Sequence, residues 1–183
     1  MTIDTRALSE LERAARRGES KAFGRLIELW DRELRSVVWS IVRSASGTDD
    51  VMQSAYEKAF RSIGSFRGDA ALKTWLHRIC YRAALDHVRY ERRRHHTSVT
   101  VLHDRASGES TSETALAHAE LASVLAQLEP DTRALLMLTA GLGCTFDETA
   151  SITGLARGTV ASRVGRAKKV LREHRRSTEW TVT

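Results

Sequence analysis

Apolar residues recur along this chain at helical spacing, and no good run of them alternates with period two. Phe23, Leu26, Ile27, Trp30 and Leu34 fall at i, i+3, i+4, i+7 and i+11 and mark one face of a helix. Val37, Val38, Ile41 and Val42 continue that surface. Ser46-Gly47-Thr48 then reads as a break, with Thr48 or Asp49 capping a new helix through DDVMQSAYEKAFRSIG. Its Val51, Ala55 and Ala59, flanked by Met52, Tyr56 and Phe60, form the core side. Asp49, Asp50, Gln53, Glu57 and Lys58 are left on the exposed side. SFRGDA reads as a loop, and Asp69 or Ala70 starts a long helix whose apolar side is Leu72, Trp75, Leu76, Ile79, Ala83 and Val88.

The pattern lapses over residues 97–115, TSVTVLHDRASGESTSETA, which are rich in Ser and Thr and carry little apolar content after Leu102. Such a composition predicts a flexible connector. Helical periodicity resumes with Leu121, Val124, Leu125 and Leu128. Pro130 suits the first turn of the next helix, where it sacrifices only an orphan amide, and Gly141 and Gly143 end that helix. The expected fold is all α: two small helical domains, residues 1–96 and 116–176, joined by a linker at 97–115 and followed by a tail at 177–183.

The second domain closes on TFDETASITGLARGTVASRVGRAKKVLR, residues 145–172. Thr145 and Glu148 have capping-box spacing. Ala150 is small enough to let another helix pass close. Gly154 stands where the chain must turn with positive φ. Leu155, Val160 and Val164 can pack a second helix back onto the first, leaving Thr159, Ser162, Arg163 and Arg166 outward. This is the build of a helix-turn-helix with a helix shaped for the major groove. Between Arg157 and Arg176 eight Lys and Arg residues face a single acid, Glu173. A charge run alone can be a solvated face. The upstream turn tips the reading to DNA binding.

Composition agrees. The 183 residues carry a net charge of +6, with a pI near 9.8, which favours a polyanionic partner. Two cysteines far apart, Cys80 and Cys144, imply no disulfide framework. No stretch is apolar enough for a signal peptide or a membrane span, so a soluble cytoplasmic protein without membrane insertion is expected. His77 and Cys80 share a helix face, but no second ligand pair lies at close spacing, and no Gly-rich phosphate loop or catalytic carboxylate pair is evident. No metal, cofactor or enzymatic activity is expected.

Four pieces in order, TDDVMQSAYEKAF, SFRGDAALKTWLHRI, ALDHVRYERRR and TFDETASITGLARGTVASRVGRAKKVLRE, resemble a bacterial RNA polymerase sigma factor of the compact extracytoplasmic-function class. The resemblance spans about residues 20–95 and 120–173. It implies a promoter-specificity subunit whose first domain binds the polymerase β′ clamp and the −10 element, and whose second binds the β flap and the −35 element. It assigns core binding to Asp49, Asp50, Gln53 and Glu57. It assigns −10 DNA to Phe66, Arg67, Lys73, Trp75, Arg78, Arg82, Asp86 and Arg89, with Tyr81 adding aromatic surface. Arg157, Thr159, Ser162, Arg163, Arg166 and Lys168 are the corresponding −35 contacts. Arg163 or Arg166 can read guanine bidentately, and Thr159 with Ser162 can clasp phosphate near the helix N-terminus. An anti-sigma factor that occludes both domains is a further implied partner.

The chain departs from the family pattern in three places. Arg82 stands where many relatives have asparagine, Ala161 where lysine or arginine is common, and Gly165 where a large or aromatic residue is common. Arginine cannot accept a hydrogen bond as an amide does, so base preference is expected to differ. A stand-alone helix-turn-helix regulator, or a module that binds polymerase or an anti-sigma factor, would share the second domain. The first block carries no strand-helix alternation of a receiver domain.

Overall fold

The computed structural model describes residues 4–95 and 121–179. Every regular element among them is helical: α1 (Thr5–Arg16), α2 (Ser20–Val42), α3 (Ala45–Ser62), α4 (Leu72–His95), α5 (121–126), α6 (Pro130–Leu136), α7 (Phe146–Thr153) and α8 (Arg157–Glu179). A short 3-10 turn, Ile63–Ser65, follows α3. The 97–115 connector lies outside the described residues, as do residues 180–183 of the tail. Helix α8 runs three residues past the domain end expected at 176.

The long face expected on α2 is the centre of the first domain. Leu26, Leu34, Val37 and Val38 have no exposed surface. They pack with Met52, Ala55 and Ala59 of α3 and with Leu76, Cys80 and Ala84 of α4. Each fully buried aliphatic side chain contributes roughly 1.5–3 kcal/mol relative to exposure. Burial in this core pushes the Cys80 thiol up to about 12, with Asp31 adding to the shift.

Two helix starts differ from expectation. The break after α2 falls at Arg43, in the left-handed region at φ 56°, where its N–H still reaches the Trp39 carbonyl at 3.0 Å. Ser44, not Thr48 or Asp49, caps α3: its hydroxyl accepts from the Gly47 N–H at 3.2 Å. Gly47 is therefore inside the helix, and its missing side chain has a packing cause. A Cβ there would lie 2.9 Å from Val42 Cγ1 and 3.1 Å from His87 Nε2. Helix α4 likewise starts at Leu72, later than Asp69 or Ala70.

A smaller core holds the second domain together. Leu135 and Leu136 of α6 meet Val160, Val164 and Ala167 of α8, with Leu125, Leu128, Phe146, Ala150 and Leu155 around them. Pro130 opens α6 as expected. The helix then widens into a π turn over Met137–Gly141, closed by the Leu142 N–H on the Met137 carbonyl at 2.9 Å.

The two domains also pack on one another. Ala134, Leu138 and Ile152, from the second domain, belong to the buried core of the first. Arg133 crosses the same boundary. Its Nε donates to the Ser40 carbonyl at 2.6 Å and its Nη2 to the Ile41 carbonyl at 3.0 Å. Those carbonyls belong to the last turn of α2, which has no intrahelical donors for them, so a cation there satisfies both the acceptors and the helix dipole. Burial pushes the Arg133 pKa down, but hydrogen bonds to three carbonyls, Leu128 being the third, compensate its desolvation.

Candidate nucleic-acid interface

Helix α7 begins in a closed capping box. The Thr145 hydroxyl accepts from the Glu148 N–H at 3.1 Å, and Glu148 Oε2 accepts from the Thr145 N–H at 2.8 Å. The Thr145 N–H, together with the Thr145 hydroxyl that donates to the same oxygen at 2.9 Å, holds the Glu148 carboxyl below its ordinary pKa. At the other end Gly154, with φ 77°, donates to the Ala150 carbonyl at 2.8 Å and turns the chain into α8. The turn is local, and it sets α8 across α7 with Val160 and Val164 inward.

The outward side of α8 carries the candidate −35 residues, but not all of them are free. Arg157 Nε lies 3.2 Å from Asp147 Oδ1. Arg163 Nη1 donates to Asp131 Oδ2, in the first turn of α6, at 2.6 Å. Thr159 is half-buried, and Ser162 turns its hydroxyl proton back onto the Thr159 carbonyl at 3.1 Å. Arg166 and Lys168 are exposed and have no ion-pair partner among the described residues. Of the three residues that depart from the family pattern, two lie on α8: Ala161 is half-buried and Gly165 is exposed, with open space where a Cβ would stand.

In the first domain, Arg67 is exposed at the tip of the loop before α4, while Phe66 beside it is half-buried against Trp75, ring centroids 5.3 Å apart. Phe66 is thus the loop's anchor. Lys73 Nζ is paired with Glu33 Oε2 at 2.5 Å. Arg78, Arg82, Asp86 and Arg89 fall on one stripe of α4, as their spacing requires. The end nearer the loop is covered: Arg78 Nε donates to the Ser151 carbonyl at 2.9 Å and its Nη2 to the Ser151 hydroxyl at 3.1 Å. Arg82, Asp86 and Arg89 remain exposed, the last two 3.4 Å apart. Tyr81 corrects an expectation. Only 4% of it is exposed, and it packs in the core rather than offering an aromatic surface.

The exposed face of α3 is as expected, with Asp49, Asp50, Gln53 and Glu57 all outward. Asp49 pairs with Arg35, which also holds Asp31 at 3.3 Å, and Asp31 accepts from the Tyr56 hydroxyl at 2.7 Å. Glu57 lies 3.5 Å from Arg61. Asp50 and Gln53 have no side-chain partner among the described residues.

Between the domains a cavity of about 190 Å³ is lined by Glu33, Lys73, Thr74 and His77 on one side and Leu142, Gly143, Cys144, Glu148 and Ile152 on the other. His77 is 3% exposed and its Nδ1 has no partner. Burial pushes its pKa down to about 4, with Lys73 adding to the shift and Glu33 opposing it. Asp131, Arg133 and Ser151, which tie up or cross to these sites, were not singled out from the sequence. Their partners lie 32 to 93 residues away, and no local spacing marks them.

Residues 26–94 match the family described as sigma-70 region 2, and residues 118–171 match sigma-70, region 4. The chain belongs to the sigma-70 family of RNA polymerase sigma factors, in its extracytoplasmic-function class. This sigma factor is 33% identical to the ECF RNA polymerase sigma factor SigM of Mycobacterium tuberculosis over 89% of its own length and 82% of that protein. It is 29% identical to the RNA polymerase sigma-H factor of Pseudomonas aeruginosa, over 88% and 90% of the two chains. Among solved structures it resembles CnrH in complex with the cytosolic domain of CnrY, with a TM-score of 0.68 and 27% identity over 89% of this chain and 93% of that one. It also resembles the sigma factor RpoE in complex with the anti-sigma factor NepR from Bartonella quintana, at TM-score 0.69 and 26% identity over 85% and 98%. The sigma factor directs RNA polymerase to promoters, and the role is that of an initiation factor. No helix among the described residues is long and apolar enough to cross a membrane.

Proposed function

We propose that the first domain, residues 1–96, binds the β′ clamp of core polymerase through Asp50 and Gln53, flanked by Asp49 and Glu57, and engages the −10 strand with Arg67 and the Arg82, Asp86 and Arg89 stripe. Phe66, Lys73, Trp75 and Arg78 complete the −10 surface. The second domain, residues 116–176, binds the β flap and reads the −35 element through α8, with Arg166 and Lys168 available at once and Arg157, Thr159, Ser162 and Arg163 recruited on contact. The observation that carries this reading is a capped, glycine-turned helix-turn-helix whose second helix presents unpaired cations outward. Catalysis belongs to the polymerase, and the working compartment is the bacterial cytoplasm.

The packed arrangement bears on how the factor loads. Arg78 is held by Ser151 and Arg163 by Asp131, so neither can reach DNA without exchanging its partner. Only the Arg78 bond crosses between the domains, so engagement of the −10 strand by Arg78 requires them to part, and core polymerase supplies the spacing that makes two modest DNA contacts act together. Two of the similar structures are complexes, CnrH with the cytosolic domain of CnrY and the sigma factor RpoE with the anti-sigma factor NepR. An anti-sigma factor that favours the packed form is the corresponding partner for this chain.

Run-off transcription with purified core polymerase, with and without the protein, on a pool of genomic promoter fragments tests the reading. New discrete transcripts that share aligned −10 and −35 sequences are expected. The absence of both transcripts and core binding would remove it.

A further inference from the structure

Helix α1 lies outside the residues that match sigma-70 region 2, yet it reaches the loop to which the −10 role is assigned. Its last residue is Arg16. Arg16 Nη2 donates to the Phe66 carbonyl at 3.1 Å, and the same guanidinium lies 5.3 Å from the Phe66 ring centroid. One side chain thus holds the backbone and the ring of the residue immediately before Arg67.

The geometry is built rather than incidental. Ala15, next to Arg16, has no exposed surface, and Leu8, Leu11 and Ala14 pack α1 against the core. The end of the helix is closed by the Arg17 N–H on the Ala14 carbonyl at 3.0 Å and the Gly18 N–H on the Ala15 carbonyl at 2.9 Å. Arg16 therefore projects from a fixed point. Phe66 also meets Trp75, whose ring is tilted 44° to it. Phe66 is thus in contact with a cation from α1 and an aromatic ring from α4. The next residues, Arg67 and Gly68, are exposed, and Gly68 turns with φ 84°. A planar guanidinium suits this double task, since it can stack and donate in its own plane at once, which an ammonium cannot.

We infer that Arg16 is a positioning residue for promoter opening: it fixes the Phe66–Asp69 loop so that Arg67 meets the single-stranded −10 DNA without first having to order itself. The inference rests on the −10 reading of that loop. It places the α1 end, outside the family match, within the working surface of the factor.

The test uses holoenzyme and a forked promoter fragment, single-stranded over the −10 non-template strand, taken from a transcript mapped by run-off. Arg16→Ala is expected to weaken binding of the fork about tenfold, the scale of one charged hydrogen bond and one cation–π contact. Core binding and binding of a fully duplex −35 fragment should be unchanged. Arg16→Lys should recover only part of the loss. Arg16→Ala combined with Phe66→Leu should cost less than the sum of the two, because both act through one contact. Arg67→Ala is the control for the underlying reading. If Arg67→Ala weakens the fork and Arg16→Ala does not, the positioning role is overturned alone. If neither does, both the −10 reading and this role fall. An equal loss on duplex −35 DNA or on core binding would mark Arg16 as a general structural residue and overturn the proposal.

Discussion

Arg163 of α8 donates to Asp131 of α6 at 2.6 Å, so one of the two arginines proposed to read a −35 guanine is held by a carboxylate of its own domain. Both side chains are about one-third exposed, at 34% and 33%, which limits the pair to the modest worth of a solvent-screened bridge. Under the proposed −35 reading, exchange of Arg163 from Asp131 onto DNA is expected to be inexpensive. Asp131→Asn is expected to raise affinity for a −35 duplex severalfold, while Arg163→Ala costs about 1–3 kcal/mol, the scale of a base contact. Quantitative shift assays with holoenzyme check both. Weaker binding by Asp131→Asn together with unaltered binding by Arg163→Ala would make the pair a purely structural brace.

Arg78 and Ser151 join the domains through two hydrogen bonds at 2.9 and 3.1 Å, beside an apolar contact made by Ile152. Removing the arginine side chain leaves Ser151 able to find water, so the domain folds themselves should survive. Arg78→Ala is expected to shift the free protein toward a more extended form, read as a larger radius of gyration by small-angle scattering. Ile152→Asp, which places a charge in the shared core, should do so more strongly. A radius unchanged in both variants would argue against separable domains. Since Arg78 is also assigned to the −10 surface, loss of transcription in that variant does not bear on this point. The scattering does.

The helices and the helix-turn-helix were legible because their signals are local. Capping spacing at Thr145 and Glu148, the glycine at 154 and the periodic face of α2 each depend on residues within a few turns. The break between α2 and α3 was misplaced because a non-glycine, Arg43, takes the left-handed conformation there, while Gly47 serves close packing against Val42 and His87. Tyr81 was misassigned for a related reason: it stands among arginines in sequence, but its helical phase turns it to the core. The bonds from Arg78 to Ser151 and from Arg133 to Ser40 join partners 73 and 93 residues apart. Such pairings leave no mark on spacing, so the docking of the domains was invisible until the fold was known.

His77 gives the fold a pH dependence with a definite sign. Its pKa is about 4 in the structure against 6.5 unperturbed, because burial at the domain junction disfavours the imidazolium. Between those values the unfolded chain holds a proton that the folded one lacks, so stability falls as pH falls from 6.5 toward 4. Above 6.5 both states are neutral and this group contributes no slope. The loss at pH 5.5 is about 1 kcal/mol. Lys73 and Glu33 face His77 with opposite effects, and Glu148 across the cavity, with its lowered pKa, changes the balance only below its ordinary range near 4.5. Urea midpoints at pH 7.5 and 5.5 should therefore fall for the unmodified protein and fall less for His77→Gln. Equal falls would assign the dependence to other groups.

Gly165 interrupts α8 with no structural need for a glycine. Its φ is not positive, and a Cβ there would meet nothing within 4 Å. Glycine in a helix interior costs roughly 0.5–1 kcal/mol relative to alanine, through the freedom it has to lose on folding. Gly165→Ala is accordingly expected to stabilise the protein by about that amount, seen as a higher thermal midpoint with the helical signal unchanged. The residue lies next to Arg166 in the chain and is exposed, with open space where a side chain would stand. A larger replacement, Gly165→Phe, should keep the gain in helix propensity only in part and should weaken −35 binding if the duplex fills that space. Destabilisation by Gly165→Ala would mean that the helix bends at this point, and that the glycine serves the fold rather than the DNA.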